Sequence, residues 1–228
     1  MASTYTDLGI ELMATGENAG TWGTKTNANL NLIEQLTGGF ATVSIAGGAG
    51  TTTLDIDDGA LTGTAQQRVI EFTGSITGNR IVTIPNDVET FYILKNSTSG
   101  AYTVQFKYAT GSGTSTTFST TDKGIKIVYA TANDGTNPDI VDVMANSSEI
   151  AVTNSNPIKF KDADDSASVG IKAPATVSGS YTLTLPAAVG STSQALVTTD
   201  GSGTLGFTST STFGISTGKS IVMAMIFG

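Results

Sequence analysis

The chain contains no histidine and no cysteine. Without histidine, one chain cannot assemble a Ser-His-Asp triad, a Cys-His dyad or a His-ligated metal site. Without cysteine there is no disulfide, zinc ribbon, iron–sulfur cluster or thiol nucleophile. Stability must come from a core or from association with other chains. Charge is also scarce, at 13% of residues. The 11 basic residues are scattered among 19 acidic ones, for a net charge of −8. Phosphate binding needs clustered Lys and Arg, so no nucleic-acid partner is expected. Long hydrophobic runs are missing as well. The longest, Ile221 to Phe227, is far short of the roughly 20 residues that a membrane-spanning helix needs. The N-terminus has no basic region followed by an apolar stretch, so no signal peptide is expected. These features predict a protein that is soluble alone or once assembled, with no membrane insertion.

What is present points one way. Ser and Thr number 61 and Gly 27 of the 228 residues, while 39% are hydrophobic. That is too apolar for a disordered acidic chain and too poor in Leu, Lys, Glu and Arg for a helical bundle. Thr favours strands and Gly favours turns, so the expected fold is mainly β.

Three segments are distinguishable. In residues 1–40, Lys25 to Leu36 reads as a short amphipathic helix. Leu30, Ile33 and Leu36 lie at spacing three with Leu32 alongside, Thr24 serves as N-cap, and Gly38-Gly39 ends it. The single Trp, Trp22, sits just ahead. It either packs on the helix as local core or anchors a partner. Residues 41–148 read as consecutive short strands: Thr42–Ala46, Thr52–Ile56, Arg68–Phe72, Arg80–Ile84, Phe91–Leu94, Tyr102–Tyr108, Ile125–Ala130 and Asp139–Met144. Asn96 to Gly100 suggests a hairpin between Phe91–Leu94 and Tyr102–Tyr108, and Asn133-Asp134-Gly135 a turn between the last two. A β-sandwich or barrel-like domain is expected here. In residues 149–228 the candidates Ile158–Lys161, Tyr181–Leu185, Ala195–Thr198 and Thr204–Thr208 are separated by long polar stretches. Large apolar side chains are few, so this part is expected to be a fibrous, intertwined β segment completed by neighbouring chains.

Sites of chemistry are sparse. Gly218-Lys219-Ser220 lacks the Gly that a phosphate-binding loop needs five residues before its Gly-Lys pair, since Phe213 stands there. Asp55 to Gly59 puts its Gly at the fifth position of a calcium-type loop and Gln66 at the twelfth, so it departs from the EF-hand pattern. Asp162 to Asp165 is a second acidic cluster. Both read as solvated turns, with a cation bound by loop carboxylates as the alternative. Paired carboxylates could hydrolyse glycans, but none stands out and an aromatic-lined groove is not evident. No enzyme activity, cofactor or metal is expected. The Ile221–Phe227 run, with Met223 and Met225, reads as a buried final strand or as packing about an oligomer axis.

Several runs resemble a known family. Gly16-Glu17-Asn18-Ala19-Gly20-Thr21-Trp22-Gly23, followed by Thr26-Asn27-Ala28-Asn29-Leu30-Asn31-Leu32-Ile33-Glu34, is similar to an N-terminal pattern of tailed-bacteriophage tail-fibre and related virion proteins. Thr77 to Pro85, Lys172 to Pro186 and Gln194 to Leu205 resemble segments of such fibres, and Gly218 to Gly228 is similar to C-termini of fibre-like proteins from marine phages. The resemblance implies a structural protein located in the virion, a homotrimer whose N-terminal part docks on other virion proteins and which contributes to host attachment, with a host cell-surface glycan as a further partner. On this reading Trp22, Leu30, Ile33 and Leu36 are docking contacts. Ile221, Met223, Met225 and Phe227 are oligomer contacts. A short tail fibre, a capsid decoration or head-fibre protein and a tail adaptor all remain open. A glycan-degrading spike and a secreted adhesin fit less well.

Overall fold

The structure is a computed structural model that describes residues 2–149 and 151–212. The chain divides into two compact units, 1–150 and 151–228. It is mainly β with one α-helix among the described residues. The first unit opens with β1 (Thr4–Tyr5) paired to β2 (Glu11–Leu12), then α1 (Trp22–Gly38). There follow β3 (Phe40–Ser44), β4 (Gly50–Thr53), β5 (Val69–Thr73), β6 (Arg80–Ile84), β7 (Thr90–Asn96) and β8 (Val104–Tyr108). The unit closes with β9 (Thr116–Phe118), β10 (Ile125–Ala130) and β11 (Ile140–Asp142).

From β3 to β8 the chain alternates between two sheets. β3, β5 and β7 lie side by side and parallel in one sheet; β4, β6 and β8 do the same in the other. Each coil therefore adds one strand to each sheet, which is the winding of a β-solenoid. Parallel bridges Gly47–Ile76 and Ser75–Ser99 stack the corners between the sheets. After the third coil the pairing turns antiparallel. β9 joins β8, and β10 and β11 extend the other sheet beyond β7. The result is a five-stranded sheet in the order β11-β10-β7-β5-β3 and a four-stranded sheet in the order β4-β6-β8-β9.

One core lies between them. Strand alternation sends Ile70 and Phe72, Tyr92 and Leu94, Val82 and Ile84, and Val104, Phe106 and Tyr108 inward. Phe106 of the four-stranded sheet meets Phe72 and Tyr92 of the other, with ring centroids 6.4 and 5.6 Å away. Both buried phenols are satisfied. Tyr92 donates to the Ala65 carbonyl (2.8 Å), and Tyr108 donates to that of Val88 (2.7 Å) while accepting from the Ala132 N–H (2.8 Å). Burial pushes both phenols up, Tyr108 to about 12, so they stay neutral donors.

The expected hairpin between Phe91–Leu94 and Tyr102–Tyr108 does not form. β7 and β8 belong to different sheets, and the segment between them is a corner. Fully buried Asn96 builds that corner. Its Oδ1 accepts from the Thr98 N–H and hydroxyl (3.1 and 2.7 Å), and its Nδ2 donates to the Asp122 carbonyl (2.8 Å). Gly100 follows at φ 99°, where a Cβ would lie 2.2 Å from the Ile76 carbonyl oxygen. The hairpin at Asn133-Asp134-Gly135 does form, as β10–β11.

The second unit contains two described hairpins. β12 (Ile158–Lys161) pairs with β13 (Ser168–Ile171), and β14 (Gln194–Thr198) pairs with β15 (Leu205–Ser209). Asp200 closes the second hairpin by accepting from the Ser202 and Thr204 N–H groups (2.8 and 3.0 Å). The strand expected at Tyr181–Leu185 reduces to a single bridge, Thr184–Thr204. Among the residues of this unit whose side chains are described, none is buried.

Phe106 is the aromatic link between the sheets. Phe106→Ala is expected to destabilise the first unit by about 3–5 kcal/mol, read as a shift in denaturant midpoint at unchanged slope.

Candidate functional site

The N-terminal motif is organised by one carboxylate. Glu11, only 5% exposed, forms an ion pair with Lys25 of α1 (2.9 Å) and accepts from Asn18 Nδ2 (3.1 Å). Its backbone is held by a second helix residue. The Glu11 N–H donates to Asn29 Oδ1 (3.0 Å), and Asn29 Nδ2 donates to the Glu11 carbonyl (2.8 Å). Asn29 thus pairs with Glu11 as a neighbouring strand would. Asn18 stands at φ 62°, a left-handed turn position that Asn tolerates, and Gly20 at 81° completes the reversal into the helix. Hydrogen bonding from Lys25 holds the Glu11 carboxyl below its ordinary range, against the opposing effect of burial.

This motif is fastened to the solenoid. Fully buried Gln66 donates to the Leu8 carbonyl (2.9 Å) and accepts from the Asp57 N–H (3.3 Å). The Gly59 N–H donates to the Gly9 carbonyl (2.8 Å). At Gly9, φ is 78° and a Cβ would lie 2.5 Å from Gln66 Nε2, so only glycine fits. Residues 2–38 therefore share one compact unit with the β coils.

The helix starts earlier than its sequence suggested. Its N-cap is Thr21, not Thr24, and Trp22 is its first residue. Its last residue is Gly38, and Gly39 is extended with its N–H on the Gln35 carbonyl (2.7 Å). A Cβ at Gly39 would lie 2.5 Å from the Gln35 carbonyl oxygen, so close approach of the backbone selects that glycine.

Of the four expected docking residues, three point outward. Trp22 is 62% exposed, Leu30 57% and Ile33 45%. At 3.6 residues per turn they share an arc of about 80°. Leu36 is buried with Leu32, so it is a support rather than a contact. The inward stripe is Lys25, Asn29, Leu32 and Leu36, spaced i, i+4, i+7, i+11. Two of its four members are polar, which is why apolar spacing alone missed it. Trp22 as local core is excluded by its exposure. Ile221, Met223, Met225 and Phe227 lie outside the described residues, as does Gly218-Lys219-Ser220.

The acidic loops are closed by hydroxyls and amides. Asp55 accepts from the Thr64 hydroxyl (2.6 Å) and N–H (3.1 Å), which hold its carboxyl below the usual range, and Asp57 accepts from the Thr62 hydroxyl (2.5 Å). Asp162 accepts from the Ser166 hydroxyl and the Ala167 N–H. Among the described residues no group of three or more acidic side chains could hold a metal ion. A groove of about 630 Å³ runs over Thr114, Thr116, Lys126, Asp139 and Asp142. Its carboxylates are also engaged. Asp139 accepts from the Thr114 N–H (2.7 Å) and hydroxyl (2.9 Å). At Asp142, burial favours the neutral acid, but the ion pair with Lys126 (2.9 Å) and the Thr116 hydroxyl (3.1 Å) outweigh it and lower its pKa. No family model matches the chain, and no curated protein and no solved structure matches it significantly.

Two outcomes follow from the Glu11 cluster. Asn29→Ala leaves the Glu11 N–H and carbonyl without partners and is expected to destabilise the first unit by about 1–3 kcal/mol in chemical denaturation. Glu11 has a folded pKa below its unfolded value of about 4.3. Its contribution is therefore present above that pH and lost as pH falls through the folded pKa. Glu11→Gln should lower the melting temperature at neutral pH and flatten its decline on acidification. A variant as acid-sensitive as the parent would contradict this.

Proposed function

We propose that the chain is a non-enzymatic structural protein of a tailed-bacteriophage virion, a short fibre-like homotrimer. The observation that carries the reading is the second unit. It exposes large apolar side chains, including Val189 at 95%, Leu185 at 74%, Val169 at 73% and Ile171 at 67%. In the β12–β13 hairpin, Ile158 faces Ile171 and Phe160 faces Val169, so one face is wholly apolar and open to water. Isolated two-stranded hairpins are marginal in water, and an apolar face of this kind needs a cover. Other chains supply that cover in an intertwined fibre, and residues 151–212 become ordered by assembly.

The N-terminal sequence resemblance supplies the particle. On this reading the Trp22/Leu30/Ile33 face of α1 docks on a virion protein, and the Glu11 cluster holds the helix in place. The Thr-rich surface meets the host, where three weak contacts per fibre raise avidity. A decoration protein of the capsid is the second reading. It shares the same oligomer and differs in copy number, tens to hundreds per particle against a few.

The test is incorporation. Trp22→Ala combined with Ile33→Ser should leave the purified protein folded and deplete it from particles at least tenfold by quantitative mass spectrometry. Undiminished incorporation of the double variant would overturn the docking assignment. Absence of the parent chain from purified particles would overturn the virion reading.

A further inference from the structure

The five-stranded sheet has a second apolar face, directed away from the core. Register places four residues in one row across β3, β5, β7 and β10, and Val143, just past the end of β11, continues it. Phe40 pairs with Val69, Val69 with Ile93, and Ile93 with Ile127; the Val143 N–H then donates to the Ile127 carbonyl (2.9 Å). Their strand neighbours Ile70, Tyr92, Leu94 and Val128 point into the core, so this row points out. Phe40 is 58% exposed, Ile127 39% and Val143 37%. An adjoining row adds Phe91, 51% exposed and stacked on Tyr129 at 4.8 Å, and the row on the other side ends in Ile125, 64% exposed.

A sheet with one wet face normally alternates apolar and polar residues; one that is apolar on both faces is covered on both. At a strand spacing of about 4.8 Å the row from Phe40 to Val143 spans about 19 Å. Each half-exposed Phe alone offers about 100 Å². Together the rows approach the size of patches that mark interaction sites.

The charges on this face indicate the partner. The chain carries a net −8, which opposes contact between copies. This face carries none of that excess. Glu71 is neutralised by Lys95 across the row (2.8 Å). At its margin, Glu89 accepts from the Tyr129 hydroxyl, and Arg68 donates to Thr90 and the Phe91 carbonyl. Two acids and two bases balance. A basic or acidic partner would gain nothing here, whereas a second copy meets a neutral, apolar, like surface without repulsion.

We propose that the outer face of the five-stranded sheet is a contact between copies of this chain. The inference rests on the self-association in the proposed function, and it assigns to that assembly a surface in the first unit, separate from the exposed hairpins of the second.

The absence of native cysteine makes the test direct. In the full-length chain, Ile127→Cys puts one thiol within the row, and Thr51→Cys puts one on the exposed outer face of the other sheet. The expected result is that a short bis-maleimide joins Ile127→Cys chains in high yield and leaves Thr51→Cys chains largely unjoined. In the assembled protein, monofunctional maleimide should react with the Ile127→Cys thiol at least tenfold more slowly than with the Thr51→Cys thiol. Equal reactivity with no crosslink at position 127, in a protein whose native mass is still oligomeric, would overturn this contact and leave the fibre reading intact. A monomeric native mass at all concentrations would overturn both.

Discussion

Each coil of the solenoid must feed two sheets at once, so the spacing between stacked strands has to agree on both faces. In the first coil the chain advances from Phe40 to Val69 in one sheet and from Gly50 to Arg80 in the other, and the second path is longer by a single position. In the next coil it advances from Val69 to Ile93 and from Arg80 to Val104, and the two paths are equal. The corners keep the same register through Gly47–Ile76 and Ser75–Ser99. The shared core depends on this agreement, because Phe72, Tyr92 and Phe106 can meet only if both sheets step together. The polar corner around Asn96 and the close approach at Gly100 hold that register where the chain passes from one sheet to the other.

That arrangement explains which parts of the fold were legible in the sequence. Alternation puts Tyr102, Val104, Phe106 and Tyr108 on one face; the last three are buried in β8, while Tyr102 lies ahead of the strand and is 38% exposed. The sequence bounds Arg80–Ile84, Ile125–Ala130 and Ile158–Lys161 agree with the observed strands. Alternation says which side of a strand is buried and nothing about which strand lies beside it. Parallel neighbours such as Phe40 and Val69, a whole coil apart in sequence, have no turn signature between them. The first coil is longer than the second, so no repeat of fixed period is left to detect. The short run at Asn96–Gly100 therefore read as a hairpin, although it is a corner. β9, in a Gly/Ser/Thr-rich stretch, had no alternation of large residues to reveal it.

The candidate site was legible in outline only. Trp22, Leu30 and Ile33 stand on one exposed side of α1, as a contact face requires. The residues that hold the helix in place, Glu11, Lys25 and Asn29, were hidden because polar groups that pair with each other inside a fold look in sequence like ordinary solvated residues. The outer row from Phe40 to Val143 was hidden for a different reason. Its members are far apart in sequence and converge only through register.

The two units pose one energetic problem in different forms. The first has a well-packed core and a surplus apolar face. The second has apolar faces and, among its described side chains, nothing buried. In the proposed function, assembly with other copies would cover both, and the native mass of the purified chain tests that most directly. Light scattering across a dilution series should give three times the 23.2 kDa chain mass, persisting at the lowest concentration. A mass of one chain throughout, with residues 151–212 still protected from hydrogen exchange, would contradict the account.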